Sequence, residues 1–416
     1  MTRSHCISHV EVEDRRFPLE AGAGTDAVHT VDHYAFAVTR LMTDLPGMSG
    51  TGIVLTLGEG NELVCQAIRA LAERLPKLPV EELMADFGAV SRRLSNDPNL
   101  RWLGPHKGVV HLALASITNA CFDLWAKARE VPLWKMLLEL PPRALVNTLD
   151  LSYLEEDLTP DSAIEMIEKE QSKRQEREAV LTHGYPGYDT SAGWFQYDEN
   201  QLRENVRRAL DRGFRAFKLK VGSKEIARDV RRAALLRDLA GAGCQLMVDA
   251  NQQWTVREAE QFCSATRDLD LYWIEEPTHP DDIEGHVNLL KQIRPARVAL
   301  GEHVPNRIMF RNFMARCAVD FVQADCTRLA GVSEFITVSL LARKYGLPVV
   351  PHAGDMGQIH QHLAVFNHIA LGQPALFLEH IPHLREYFVH PARVENGMYQ
   401  TPREPGLSCD LKTAPQ

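Results

Sequence analysis

The chain has 416 residues, 45% apolar and 24% charged, an ordinary globular composition on a scale that exceeds one hydrophobic core. Its net charge of −9 argues against a nucleic-acid partner, because phosphate binding calls for clustered Lys and Arg. The short runs Arg92-Arg93 and Arg231-Arg232 read as solvated helix faces. No stretch approaches the roughly 18 apolar residues of a membrane span, so no membrane role is expected. The eight cysteines (Cys6, Cys65, Cys121, Cys244, Cys263, Cys317, Cys326, Cys409) form no Cys-x-x-Cys pair, and the N-terminus lacks the apolar core of a signal peptide. A reducing, cytoplasmic setting is expected.

To about residue 100, the apolar runs Tyr34 to Met42 and Thr51 to Leu57 are set among Gly and Pro turns and precede an amphipathic stretch from Glu62 to Leu75. This is the pattern of a small α+β domain. Gly58-Glu-Gly60 lacks the full fingerprint of a phosphate loop and reads as a turn. Val109 to Ala128 and Leu133 to Leu140 are apolar at helical spacing. From about residue 145, short apolar runs alternate with charged helical stretches. The runs are Leu145 to Leu151, Ala216 to Val221, Gln245 to Val248, Leu271 to Ile274, Val298 to Leu300, Phe321 to Ala324, Leu347 to Val350 and Ala375 to Leu378. Eight such units in roughly 250 residues predict an α/β fold of the (β/α)8 type, whose catalytic groups sit at the C-terminal strand ends. An insert at about 155–201 separates the first two runs, and its aromatic, turn-rich half, 184–197, reads as a loop packed near the barrel mouth.

The later runs end in ionisable residues: Lys218 and Lys220, Asp249, Glu275 and Glu276, Glu302 and His303, Asp325, His352, and Glu379. Counted from Lys220, the intervals are 29, 26, 27, 23, 27 and 27 residues, close to one βα unit each. A single charge after a strand usually caps a helix or meets solvent, whereas seven in register converge on one mouth. Asp249, Glu275 and Glu302 make an all-oxygen set suited to one hard cation such as Mg2+ rather than to zinc. Glu276 follows Glu275 and, by strand alternation, points elsewhere in a supporting role. Lys218 and Lys220 share a strand face, where each lowers the pKa of the other and so helps one act as a neutral base. Asp325 and His352 can pair, the carboxylate fixing the imidazole tautomer. Acid–base groups on both sides of a bound substrate fit abstraction of a proton α to a carboxylate. His360, His362, His380 and His383 cluster late in the chain and read as surface or supporting histidines in preference to a second metal site.

With its Lys-x-Lys base, Asp/Glu/Glu set and His-Asp dyad in order, the chain resembles the enolase superfamily and, within it, the mandelate-racemase subgroup. Arg101-Trp-Leu-Gly-Pro-His-Lys-Gly-Val-Val-His111, Asp123-Leu-Trp-Ala-Lys127, Met247-Val-Asp-Ala-Asn-Gln252 and Trp273-Ile-Glu-Glu-Pro-Thr278 resemble the L-fuconate dehydratase family. The resemblance implies an N-terminal α+β capping domain with connecting helices over 1–144, a modified (β/α)7β barrel over 145–388, and a C-terminal segment, 389–416, packing back on the cap. It also implies a sugar-acid dehydratase, with L-fuconate as the expected substrate and a galactonate-like acid, or another aldonate or aldarate, as the alternative. Lys220 is then the base at C2, and His352, with Asp325, the acid that assists loss of the 3-hydroxyl to give a 2-keto-3-deoxy acid. Lys218 is expected to hold the substrate carboxylate beside Mg2+, with Asn251, Glu379 and, from the loop Gly22 to His29, His29 also in substrate-binding roles. A racemase or epimerase of the same superfamily is the second reading of this two-sided arrangement, and a non-catalytic barrel the third. A symmetric homo-oligomer is expected. After His352 the family tends to read Ala-Gly-Gly-Val-Gly-Leu-Cys-Glu-Leu-Val-Gln-His-Leu, whereas this chain reads Ala353-Gly-Asp-Met-Gly-Gln-Ile-His-Gln-His-Leu363, two residues shorter.

Overall fold

Three antiparallel strands, β1 (Ile7–Pro18), β2 (His33–Thr43) and β3 (Ser49–Thr56), form the N-terminal sheet in that order. The computed structural model describes residues 5–75, 77–353, 356–374 and 376–413. β2 and β3 bury nearly continuous apolar runs, which is why they are visible in the sequence; β1 buries Ile7 and Phe17 at its ends and exposes most of its charged centre, so it is not. Gly60 caps the helix Asn61–Ala72 in a left-handed conformation, φ 76°, as the turn reading requires. The helix Gly108–Ala128 lies against β3 at very short range: a Cβ on Gly52 would stand 2.0 Å from the carbonyl oxygen of Ser116. Contrary to expectation, this helix is long and apolar enough by composition to cross a bilayer, yet 89% of its apolar window is buried inside the protein. It is the helix around which the cap core is built.

The larger sheet runs β4 (Tyr185–Gly193), β5 (Ala216–Lys220), β6 (Gln245–Asp249), β7 (Leu271–Glu275), β8 (Val298–Leu300) and β9 (Phe321–Val322), each parallel to the next. A bridge from Val322 to Val349 adds the seventh position, and β10 (Leu378–His380) pairs in parallel with β4, so the sheet returns to its first strand. Helices alternate with these strands, which is the expected barrel plus cap. A hairpin of β11 (Val394–Glu395) and β12 (Met398–Tyr399) adds to the other edge of β4. Beyond it, Asp410 accepts from Thr51 Oγ1 at 2.6 Å and pairs with Lys127, also at 2.6 Å, while Leu407 N–H donates to Asp123.

The first barrel strand is not where the sequence reading places it. Leu145 to Leu151 is the end of a short helix, Pro142–Val146, and the turns after it, because Pro141-Pro142 presets a helix start. The strand is β4, inside the stretch read as a mouth loop. Tyr188 from β4 packs with Met247, Trp273, Phe321, Val350 and Phe377 in the cluster that fills the barrel. At the other end of the barrel, Glu379 lies within β10 rather than after it. Ala375, and Gly354-Asp355 of the shortened segment, lie outside the described residues.

Candidate active site

Because β5 alternates, Lys218 and Lys220 both enter the barrel, 1% and 6% exposed. Lys218 Nζ lies 2.7 Å from Glu275 Oε1 on β7 and 2.8 Å from Glu379 Oε1 on β10. Lys220 Nζ lies 2.5 Å from Asp249 Oδ2 on β6 and donates to Asn251 Oδ1 at 3.2 Å. Burial opposes both charges, and Lys218 pulls Lys220 down, yet the facing carboxylates outweigh these effects and hold both lysines above their ordinary pKa. The expected depression of Lys220 by Lys218 is present but outweighed by Asp249, Glu275 and Glu379, so the expectation of a neutral lysine is overturned for the metal-free protein.

The opposite side of the site is built from β8, β9 and the seventh strand position. His352 Nδ1 lies 2.7 Å from Asp325 Oδ2, and its Nε2 lies 2.8 Å from Glu302 Oε2. Burial disfavours the imidazolium, but Glu302 and Asp325 together raise His352 well above the usual imidazole range. Glu302 also meets His303 Nδ1 at 3.1 Å. Glu276, in a left-handed conformation just past the end of β7, sends its buried carboxylate to His303 instead of to Lys218. The adjacent glutamates thus serve different partners, in keeping with the alternation argument.

Asp249, Glu275 and Glu302 offer only oxygen. Burial, and then the charges of Asp249, Glu379 and Glu302, push Glu275 up to about 8 despite the pull of Lys218. Buried carboxylates that oppose one another's ionisation in this way fit a hard divalent cation.

These groups open on a cavity of about 180 Å³, smaller than the roughly 300–1,000 Å³ of drug-sized sites. Lys220, Asn251, Glu302, His352 and Glu379 line it from the barrel, and Asp26, His29, Tyr34, Leu55 and Leu57 from the cap. Lys218, Asp249 and Asp325 stand behind this wall in contact with Glu379, Lys220 and His352, and Glu275 stands behind them against Lys218. Every site residue expected from the sequence is thereby brought together. His29 is held by Asp26, Nδ1 to Oδ2 at 2.9 Å. Asp26, Tyr34, Trp194 and Arg328 were not named as site residues, although Asp26 and Trp194 belong to the two segments, 22–29 and 184–197, expected at the mouth. Trp194 places its ring 5.8 Å from Lys220 Nζ, and Arg328 donates to the backbone oxygen of Glu302 at 2.7 Å. Asp26 carried a local signal, three residues before His29 in an Asx turn, and Trp194 the aromatic texture of its segment, whereas Tyr34 and Arg328 carried none. A larger open groove of about 970 Å³, near Arg208, Arg212 and Arg385, contains none of the strand-end groups.

None of the four late histidines is exposed. His360 meets Asp325, His362 accepts from Trp134 N–H, His380 pairs with Asp189, and half-buried His383 accepts from Trp194 Nε1. The surface part of their expected role is overturned; each fastens another group in place.

Residues 201–414 match the family described as Enolase C-terminal domain-like. The chain belongs to the enolase superfamily. This superfamily member is 40% identical over 415 residues to mitochondrial enolase superfamily member 1 of Homo sapiens, covering 98% of this chain and 94% of the relative. The crystal structure of that human protein matches with a TM-score of 0.95, over 98% of this chain and 95% of that one. L-galactonate dehydratase of Hypocrea jecorina is likewise 40% identical over 415 residues, 98% of this chain and 92% of the relative. The L-talarate/galactarate dehydratase of Salmonella typhimurium LT2, liganded with Mg and L-lyxarohydroxamate, has the same fold, with a TM-score of 0.77 at 24% identity over 98% of this chain and 91% of that one. Enolase-superfamily sites pair a Lys or His base with magnesium, and here Lys220 and His352 line one cavity.

Proposed function

We propose that the protein is an acid-sugar dehydratase, acting by abstraction of the proton α to a carboxylate and elimination of the 3-hydroxyl to a 2-keto-3-deoxy acid. The observation that carries this reading is that Lys220 and His352 line one small cavity, each fixed by its own carboxylate, Asp249 and Asp325. The 40% identity to an L-galactonate dehydratase supports it. Asp249, Glu275 and Glu302 would hold one Mg2+, which when bound draws charge from the substrate carboxylate and makes the C2 proton more acidic. Lys220, whose ammonium group would be discharged once its counter-ion Asp249 is engaged by the cation, takes that proton, and Asn251 steadies the ammonium group so formed. Lys218, anchored by Glu275 and Glu379, presents fixed positive charge to the carboxylate oxygens as the enediolate forms. His352, oriented through Nδ1 by Asp325, gives the Nε2 proton to the departing hydroxyl. The enol so produced tautomerises to the keto acid.

The preferred substrate is L-fuconate, with L-galactonate as the alternative. The two share configuration where bonds break and differ by a single hydroxyl at C6. Leu55, Leu57 and Ile381 give the cavity an apolar wall that suits the 6-methyl group. Incubation with a panel of aldonates and aldarates plus Mg2+ tests the reading, with 2-keto-3-deoxy products assayed chemically. If none forms, the dehydratase reading fails, and C2 exchange in D2O without elimination would favour a racemase or epimerase.

A further inference from the structure

The carboxylate of Asp325 is shared between two imidazoles. Its Oδ2 lies 2.7 Å from His352 Nδ1, and its Oδ1 lies 2.9 Å from Nε2 of His360. Oδ1 also accepts the backbone N–H and the hydroxyl of Thr327, each at 2.7 Å. Asp325 and His360 are each 1% exposed, so water does not compete for these bonds. His360 is the second residue of the helix Ile359–Leu371, in the segment whose length and sequence depart from the family pattern.

The proton of His360 is on Nε2. Were it on Nδ1 alone, the lone pair of Nε2 would face a carboxylate oxygen at 2.9 Å, which is repulsive. The Cys326 N–H, 3.3 Å from the same nitrogen, is the longer and subordinate contact. Nδ1 of His360 is buried without a hydrogen-bond partner among the described residues, so none of these gives the ring a path by which to relay a proton. What it supplies is a fixed direction. With Thr327 and His360 both on Oδ1, the plane of the carboxylate is set and Oδ2 is aimed at His352.

We propose that His360 is a positioning residue for the elimination step, locking Asp325 and through it the ring of His352 in the orientation that presents Nε2 to the 3-hydroxyl. The proposal rests on the dehydratase reading. Proton abstraction does not depend on this chain of contacts, since Lys220 is fixed separately by Asp249 and Asn251.

His360→Leu removes the donor while filling the space. Elimination is expected to fall about 10- to 100-fold, the usual effect of losing such a supporting contact, through kcat rather than KM. Exchange of the substrate C2 proton in D2O continues near the wild-type rate. His360→Gln, whose amide nitrogen reaches the place of Nε2, restores most of the loss. Unchanged elimination, exchange that falls in step with elimination, or a Gln variant no better than Leu overturns the proposal. Thermal unfolding checks each variant, and His360→Asn, whose shorter amide cannot reach Asp325, replaces the Leu variant if that one does not fold. A second readout needs no turnover. In metal-free protein labelled with 15N-histidine, the downfield proton on His352 Nδ1 is expected to shift in the Leu variant and return in the Gln variant, and an unmoved resonance overturns the proposal. Should the wild type dehydrate no sugar acid, the dehydratase reading fails while the resonance still decides the role of His360.

Discussion

Lys218 on β5 and Glu275 on β7 meet at 2.7 Å across the end of β6, each side chain 1% exposed. This pairing places a cation where the carboxylate set would otherwise be most strained, yet Glu275 still rises to about 8, by burial first and then by the charges of Asp249, Glu379 and Glu302. In the metal-free protein Glu275 therefore holds a proton more tightly than an ordinary carboxyl group does. Because a hard cation binds the ionised form, Mg2+ uptake should release protons near pH 7, and the apparent Kd should fall as pH rises from about 6 towards 8. Titration calorimetry in buffers of different ionisation enthalpy measures the proton count. EDTA is expected to abolish turnover and Mg2+ to restore it.

The two sides of the cavity should separate in their effects. Lys220→Ala removes the base, so both C2 exchange and elimination should drop by about 10³ or more, within the usual range for general base catalysis. His352→Asn removes the acid alone and should leave exchange in D2O measurable while elimination is lost. Proton NMR of the substrate with a product assay reads both, and loss of exchange in the His352 variant would contradict the division of labour.

Histidine 362 offers a test of stability against pH. Burial alone lowers it from 6.5 to about 3, so the folded protein keeps it neutral while the unfolded chain binds a proton below pH 6.5. With more protons bound in the unfolded state, stability falls as pH drops from 6.5 towards 3, by about 1.4 kcal/mol per pH unit for this one fully buried group. His362→Asn keeps an acceptor for the Trp134 N–H and removes the titration. Its urea midpoint should lose less than that of the wild type between pH 6.5 and 4.5.

Gly52→Ala should destabilise the cap. The added methyl would meet backbone atoms of Ser116 and Ala120 at 2.0 and 2.5 Å, and backbone yields less than a side chain. A loss of about 3 kcal/mol is expected, at the upper end of ordinary overpacking. Denaturant unfolding followed by tryptophan fluorescence measures it.

Most of the catalytic end was legible because parallel strands are short apolar runs and their C-terminal ends carry the chemistry, so Lys220, Asp249, Glu275, Glu302, Asp325, His352 and Glu379 could be counted off at one-unit intervals. β4 escaped because Tyr185-Pro-Gly-Tyr188 has the local texture of a turn, and its strand conformation is set by tertiary contacts of Tyr188 with Trp273 and Phe377 and by its neighbours β5 and β10. Leu145 to Leu151 misled for the converse reason, an apolar run that belongs to a helix end. The lysine pKa direction was misjudged because the sequence shows the two ammonium groups side by side but not the carboxylates that reach them from other strands. Arg328 and Trp194 left no periodic trace, since each reaches the cavity from a loop.

The parallel pairing of β10 with β4 makes the site a product of ring closure. Glu379 reaches Lys218 only when the last strand lies against the first, where Thr190 of β4 donates to the same carboxylate oxygen at 2.6 Å. During synthesis, six of the seven strand-end positions counted from Lys220 have emerged before residue 379 follows, yet Lys218 still lacks its second counter-charge. A truncated chain that ends before β10 would carry nearly all the chemistry in its sequence and have no closed barrel in which to gather it.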